Sequence, residues 1–292
     1  MKKVSVDVRE VLDERYGNCV SISNGSIKAL VTIDYGPEIV FFGKQDGNNL
    51  LYASESSEEN MFVSHHVWDS NREYIPQKLP VVYSLLKDGA SFSTVSMPEK
   101  DLKFKMDIIM NNDSQDMMVI HSIKSLSKDE ITMSVLSSTL VAQNGTTILP
   151  QSSAADRNAP NRMVSFWPYS KVGDKRFSMS DRYIKVAHDA GNEDKFRLGI
   201  NDCDGWVLHV IGENAFAQRF VHNEKALYPN FGSSVSVFTD ADATSVETVS
   251  PLYNLKNRDT VNHVESWSIF DIKSKASLNE DKDIDDLLNN LQ

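Results

Sequence analysis

Residues 62–82, FVSHHVWDSNREYIPQKLPVV, set His65, His66, Trp68, Asp69, Arg72, Glu73 and Tyr74 close together with no helical period. A second segment, residues 148–181, is rich in Pro, Asn, Arg and aromatics, including Arg162, Trp167, Tyr169 and Arg176. Aromatics mixed with arginine, asparagine and carboxylates are the equipment of a sugar site. A sugar ring face stacks on an aromatic, and its hydroxyls need several aimed donors and acceptors. Each residue also has a plainer reading. His66 is as well read as a hydrogen-bonded structural histidine. Trp68 and Trp167 would be ordinary packing, and Arg72, Arg162 and Arg176 would pair with acidic neighbours such as Glu73 and Asp174. His65 and His66 are adjacent, so on an extended chain they diverge and cannot grip one metal ion together.

Something must position these side chains, and the pattern is strand after strand. In NCVSISNGSIKALVTIDYG, Asn24-Gly25 suits a tight β-turn, and Ile27, Ala29, Val31 and Ile33 fall on one face at period two. Residues 4–8 also alternate, and short runs such as FKMDIIM, RYIKVAHD, GWVLHVIG and SSVSVFTD follow between turn residues. Strands do not alternate with long helices, which argues against a parallel α/β sheet. The pattern predicts one large antiparallel sandwich over residues 1–292, with the two long segments as ordered loops on one face or rim. A C-terminal helix is expected over residues 277–292. Ile284, Leu287, Leu288 and Leu291 form one stripe there, and Ser277 with Glu280 has capping-box spacing.

Composition narrows the partners. The 292 residues are 40% hydrophobic and 24% charged, with a net charge of −11. An acidic chain repels phosphate backbones, so nucleic acid and anionic membrane surfaces are disfavoured. No apolar run spans a bilayer, and the start has no apolar core of a signal peptide. A cytoplasmic protein is expected. Cys19 and Cys203 are isolated, which suits reduced thiols and gives no structural zinc site. No metal or other cofactor is expected.

Several segments, in order, resemble the galactose mutarotase-like superfamily, the aldose 1-epimerase fold, and within it a bacterial branch to which no activity is attached. NGSIKALVTIDYGPEIVFFGKQDGNNLLY resembles its N-terminal hairpin, and SHHVWDSNREYIPQKLPVV its G-His-x-x-Trp segment. NRMVSFWPYSKVGDKRF resembles N-R-x-x-x-x-W-x-Y-x-x-x-x-D-x-R, and FRLGINDCDGWVLHV resembles K-x-G followed by G-W. LYPNFGSSVSVFTDADATSVETVSPLYNL resembles Y-x-D-x-G and then E-T-x-S-P-L, and HVESWSIF resembles E-x-W-x-L. The resemblance implies an all-β, large antiparallel β-supersandwich. It implies acid–base chemistry at the anomeric centre of an aldose, in which a carboxylate takes the anomeric proton and an acid protonates the ring oxygen. Glu247 matches the basic glutamate and His66 the substrate-binding histidine. Trp68, Arg72, Trp167, Arg197, Tyr228 and Asn230 fall in the matching substrate segments.

The departures matter. The central histidine that serves as acid has no counterpart in SVLSSTLVAQNGTTILPQ, and His121 lies in the preceding strand. Y-x-D-x-G becomes Tyr228-Pro229-Asn230-Phe231-Gly232, without the carboxylate. The lysine of K-x-G becomes Arg197, whose planar fork suits a carboxylate or phosphate. Three readings therefore stand: an enzyme acting on an aldose or sugar acid, a carbohydrate-binding module that has lost the acid, and a sandwich with a structural role.

Overall fold

The computed structural model describes residues 5–55, 62–63, 65–69, 81–94, 101–112, 114–152, 158, 160–272 and 277–291. The chain is all-β and antiparallel, with two large sheets face to face. The first has ten strands, in the order Phe177–Met179, Tyr183–Ala187, Thr146–Pro150, Trp206–Ile211, Asn214–Phe220, Thr260–Asp271, Asp116–Ser125, Leu102–Met110, Gly89–Thr94 and Val81–Leu86. The second has six, in the order Val164–Phe166, Phe196–Ile200, Val235–Thr239, Thr244–Val249, Val135–Val141 and His65–Asp69. A four-stranded sheet, Asp7–Asp13 to Ile39–Lys44, completes the main architecture.

The predicted Asn24-Gly25 hairpin is present. Gly25 has φ 84°, and the Asn24 side chain accepts the amides of Ser26 and Ile27, both at 3.0 Å. Ile27, Ala29 and Val31 are fully buried in the main core. The first described strand begins at Asp7, later than the alternation at residues 4–8 suggests. The described residues of 148–181 are also more regular than a loop. They contain Val164–Phe166 and Phe177–Met179, where Phe166, Phe177 and Phe196 meet with ring centroids 5.5–6.2 Å apart.

The C-terminal helix runs Asp281–Asn290, shorter than residues 277–292. Its start is set by Asp283, which accepts the backbone amides of Asn279 and Glu280 and the Ser277 hydroxyl, the last at 2.5 Å. Ser277 therefore supports the cap from outside the helix. Ile284, Leu287 and Leu291 bury their stripe against Ile148, Tyr183, Leu208 and Val210 on the outer face of the ten-stranded sheet. Trp206 is half-buried beside this cluster.

Strand alternation divides the six-stranded sheet into two chemistries. Leu198, Val237 and Val246 point into the core. Thr248 and Ser137 point the same way and join a polar network in the core. Glu265 accepts from Ser137 Oγ at 3.0 Å, Thr248 Oγ1 at 2.5 Å and Trp267 Nε1 at 3.1 Å, with His121 Nε2 at 3.5 Å. His263 lies 2.7 Å from Thr248 Oγ1. Burial pushes the His263 pKa down to about 4. Hydrogen bonding is what makes such a buried carboxylate tolerable.

Trp267 both donates to Glu265 and packs edge-on to Phe42 and Phe216, at 5.3 and 5.2 Å. Trp267→Ala is expected to cost about 3–5 kcal/mol of stability, read from urea unfolding midpoints. A loss under about 1 kcal/mol would show that the core does not depend on this packing.

Candidate functional site

Glu247 lies on the opposite face of the six-stranded sheet from that network. In register across the sheet stand Ser165, Gly199, Ser236, Glu247, Ser138 and His66. Among the described side chains of this row the carboxylate is flanked by glycine and serines, so it stands in a trough of small and hydroxylic groups. Gly199 is required for close approach: a Cβ there would lie 2.5 Å from Ser233 Oγ and 2.9 Å from Ser165 Oγ.

Glu247 is buried, with 4% of its surface exposed. Ser236 Oγ donates to its Oε2 at 2.7 Å, and Arg197 Nη2 forms an ion pair with the same oxygen. Oε1 receives no hydrogen bond among the described residues. Burial raises the Glu247 pKa, while Arg197 and the Ser236 hydroxyl pull it back down.

Arg197 is itself held in place. Its guanidinium lies over the Trp167 ring, 4.3 Å from the centroid, a stacking geometry that suits a planar cation. Trp167 is brought there by a turn pinned to the Arg197 backbone. Ser170 Oγ donates to Arg197 O at 2.7 Å and accepts from Arg197 N at 2.8 Å. Ser170 N donates to Trp167 O at 2.9 Å, which closes the turn. Tyr169, on the same turn, is 42% exposed. Burial raises its pKa, Arg197 lowers it and Glu247 raises it again.

Among the sequence candidates, the structure thus brings together Glu247, Arg197 and Trp167. His66 sits opposite Ser138, two strands from Glu247, or about 10 Å at ordinary strand spacing. Trp68, in the same edge strand as His66, pairs with Leu136 of Val135–Val141. Arg72 lies outside the described residues. Tyr228 and Asn230 belong to a separate group near the start of Val235–Thr239, where Tyr228 stacks on His222 with ring centroids 4.7 Å apart. His121 is fully buried between the sheets beside Glu265, which removes it as an acid for Glu247. Arg176 pairs with Asp174 at 2.8 Å, as the plainer reading expects.

Ser236 and Tyr169 were not among the candidates. Ser236 shows only as a serine in an alternating run. Tyr169 could have been found from its place two residues after Trp167 in the same aromatic segment. Among the described residues, no group of three or more His, Cys, Asp or Glu is placed to hold a metal ion. No described helix is long and apolar enough to cross a membrane.

No family model matches the chain, and no curated protein matches it. Solved structures do. A galactose mutarotase-like protein from Lactobacillus casei superposes with a TM-score of 0.58 at 9% identity, covering 86% of this chain and 100% of its own. A candidate aldose 1-epimerase from Escherichia coli K12 gives 0.57 at 12% identity, covering 91% and 100%. A galactose mutarotase-like protein from Clostridium acetobutylicum gives 0.55 at 10%, covering 92% and 99%. The chain has the galactose mutarotase-like fold, as the ordered motifs imply.

The Arg197–Glu247 pair makes a pH-dependent prediction. The folded pKa of Glu247 is raised, so its contribution to stability is fully present at low pH and is lost as pH rises through that pKa. Removing Arg197 takes away the main lowering influence and pushes the pKa higher. Arg197→Met is therefore expected to lose more stability at about pH 8 than at about pH 5, measured by urea midpoints across that range. An equal loss at both ends would show that the pair is not electrostatically coupled.

Proposed function

We propose that this chain binds a carbohydrate over Glu247, Arg197 and Trp167, and that any catalysis it performs is weak aldose 1-epimerase-like chemistry. The observation that carries this reading is the division of labour on Glu247. Oε2 is consumed by Arg197 and Ser236, while Oε1 is left for a ligand hydroxyl. An ionised carboxylate oxygen accepts a hydroxyl proton strongly. Trp167 and Tyr169 supply aromatic surface next to it, which suits a ring with alternating C–H faces and hydroxyl edges.

Arg197 bears on the choice of sugar. Alone, its fork would favour a sugar acid. Here its charge is compensated by Glu247, so the pair is close to neutral and a neutral aldose is the better ligand. As a base, Glu247 would take the proton of the anomeric hydroxyl on Oε1. The ring would then need a proton on its oxygen to open. Tyr169 is the nearby described hydroxyl acid, and its raised pKa makes it a poor one. The His66 side chain lies outside those described, and the step is not assigned to it. Weak turnover with retained binding follows from this arrangement.

Polarimetry on freshly dissolved α-anomers of glucose and galactose tests the catalytic half. A positioned acid or base contributes about 10²–10⁴-fold. Wild type is expected to stay close to the uncatalysed rate, and Glu247→Gln to match it. Calorimetric titration of neutral aldoses and uronic acids tests the binding half. The neutral sugar is expected to bind and Glu247→Gln to weaken it. Fast turnover that vanishes in Glu247→Gln would overturn the weak-catalysis reading. Absence of binding to every sugar would remove the carbohydrate reading and favour a structural sandwich.

A further inference from the structure

A pocket whose lining does not include Glu247 lies elsewhere on the chain. It has a volume of about 500 Å³, and its lining includes Asn161, Asn201, His222, Leu227, Tyr228 and Phe231. Asn201 lies four residues beyond Arg197, about 13 Å at the rise of an extended chain. The two groups of residues are distinct, and they meet only where Ser165 and Gly199 of the Glu247 row approach Ser233.

Phe231 is the unusual feature. It is 95% exposed, and its backbone has φ 63°, following Asn230 at φ 51°. A bulky residue in the left-handed region is strained, by about 1–3 kcal/mol. Burial does not compensate, because the ring lies in solvent. The conformation is imposed by local bonds instead. Ser233 N donates to Pro229 O at 3.0 Å, and Ser233 Oγ donates to Asn230 O at 2.9 Å. Ser233 Oγ is in turn 2.9 Å from Ser165 Oγ on the six-stranded sheet. The sheet thus anchors a turn whose product is an aromatic ring held out at a pocket mouth, with Leu227, 78% exposed, also on the rim.

Two side chains of the pocket keep hydrogen-bonding capacity, His222 and Tyr228. His222 Nδ1 is buried without a hydrogen-bond partner among the described residues. The Tyr228 hydroxyl accepts the Asn223 amide at 2.8 Å and keeps its own proton to donate. His222 and Tyr228 lie parallel, with an interplanar angle of 6°, so each holds the other's ring plane fixed. Burial lowers the His222 pKa and so favours the neutral ring, while Glu224 works against it. Asn201 is occupied in holding the loop: it accepts Met163 N at 2.7 Å and donates to Asn161 O at 3.2 Å. Glu224 on the lining disfavours an anion.

We propose that this pocket is a second carbohydrate subsite, which stacks a neutral pyranose ring on Phe231 and hydrogen-bonds its hydroxyls through His222 and Tyr228. A displayed aromatic beside neutral donors and acceptors is suited to a ring that is apolar on its faces and hydroxylated on its edge. The inference shares with the proposed function the ligand class, and it rests on different residues.

The test is a backbone-amide NMR titration of the whole chain with maltose, cellobiose, lactose and the methyl pyranosides of glucose, galactose and mannose. It is run on wild type, Phe231→Asn and Glu247→Gln. Asparagine tolerates the left-handed backbone, so Phe231→Asn removes the ring and keeps the turn; unchanged circular dichroism and urea midpoint check this. At least one neutral sugar is expected to shift the amides of residues 222–232. Phe231→Asn is expected to weaken those shifts' affinity by about tenfold, the scale of one aromatic contact, and Glu247→Gln to leave it unchanged. Shifts confined to residues 167–170, 197 and 247 would overturn the second subsite and leave the proposed function standing. Shifts confined to residues 222–232 would do the reverse. No shift with any sugar would overturn both. Binding unaltered by Phe231→Asn, or self-association of wild type that Phe231→Asn abolishes, would also overturn the subsite, the latter by giving Phe231 a second copy as its partner.

Discussion

A carboxylate taken out of water needs a partner, and Glu247 organises its side of the sandwich around that need. An unpaired buried charge costs several kcal/mol even after relaxation, on the order of the whole margin of stability. Arg197 meets the need from two strands away, and Ser236 from the strand between. Arg197 then needs its own support, because a long side chain loses rotamer freedom when fixed. Trp167 supplies a flat surface, and Ser170 ties the Trp167 turn to the backbone of Arg197. The chain of dependence runs from one buried charge to the conformation of a connecting segment.

Strand alternation keeps this site separate from a second buried carboxylate. Glu247 and Thr248 are neighbours in one strand, yet one faces Arg197 and the other Glu265. The same division holds for Ser138 and Ser137, which bond to Ser245 and Glu265 respectively. Both polar groups can therefore share a sheet without sharing protons. His121 and His263 belong wholly to the inner network, where they and Glu265 join the two sheets through side-chain bonds. The Glu265-x-Trp267 motif is then a packing device, since the indole donates to the carboxylate two residues before it.

How much of this was legible depends on the range of the interactions. The Asn24-Gly25 hairpin was readable because its turn chemistry and its alternation are both local. The strand class and the order of motifs were readable for the same reason, and Glu247 was singled out by the residues around it. The start of the C-terminal helix was misplaced because two capping arrangements overlap there, and Asp283 collects both sets of donors. The partner of Glu247 was not legible. Arg197 and Ser236 lie 50 and 11 residues away in the chain, and only the sheet register brings them to one oxygen. Phe231 was not singled out, because neither its exposure nor its positive φ leaves a trace in a single chain.

The pairing that makes Glu247 tolerable also sets what it can do. A general base works best with a pKa near the working pH, which for a glutamate means letting burial raise it. Burial does raise Glu247, and Arg197 works against it. A lysine at that position would act as a mobile point charge, free to move as the proton arrives. Arginine stacked on Trp167 is a fixed one, and its charge favours the ionised carboxylate against the larger, opposing effect of burial. Basicity falls as that ionised form becomes more comfortable. Hydrogen-bond acceptance does not fall in the same way, because an ionised oxygen with no competing donor remains a strong acceptor. The Arg197–Trp167 stack therefore opposes the rise in pKa that burial gives Glu247, which weakens it as a base without removing it as an acceptor.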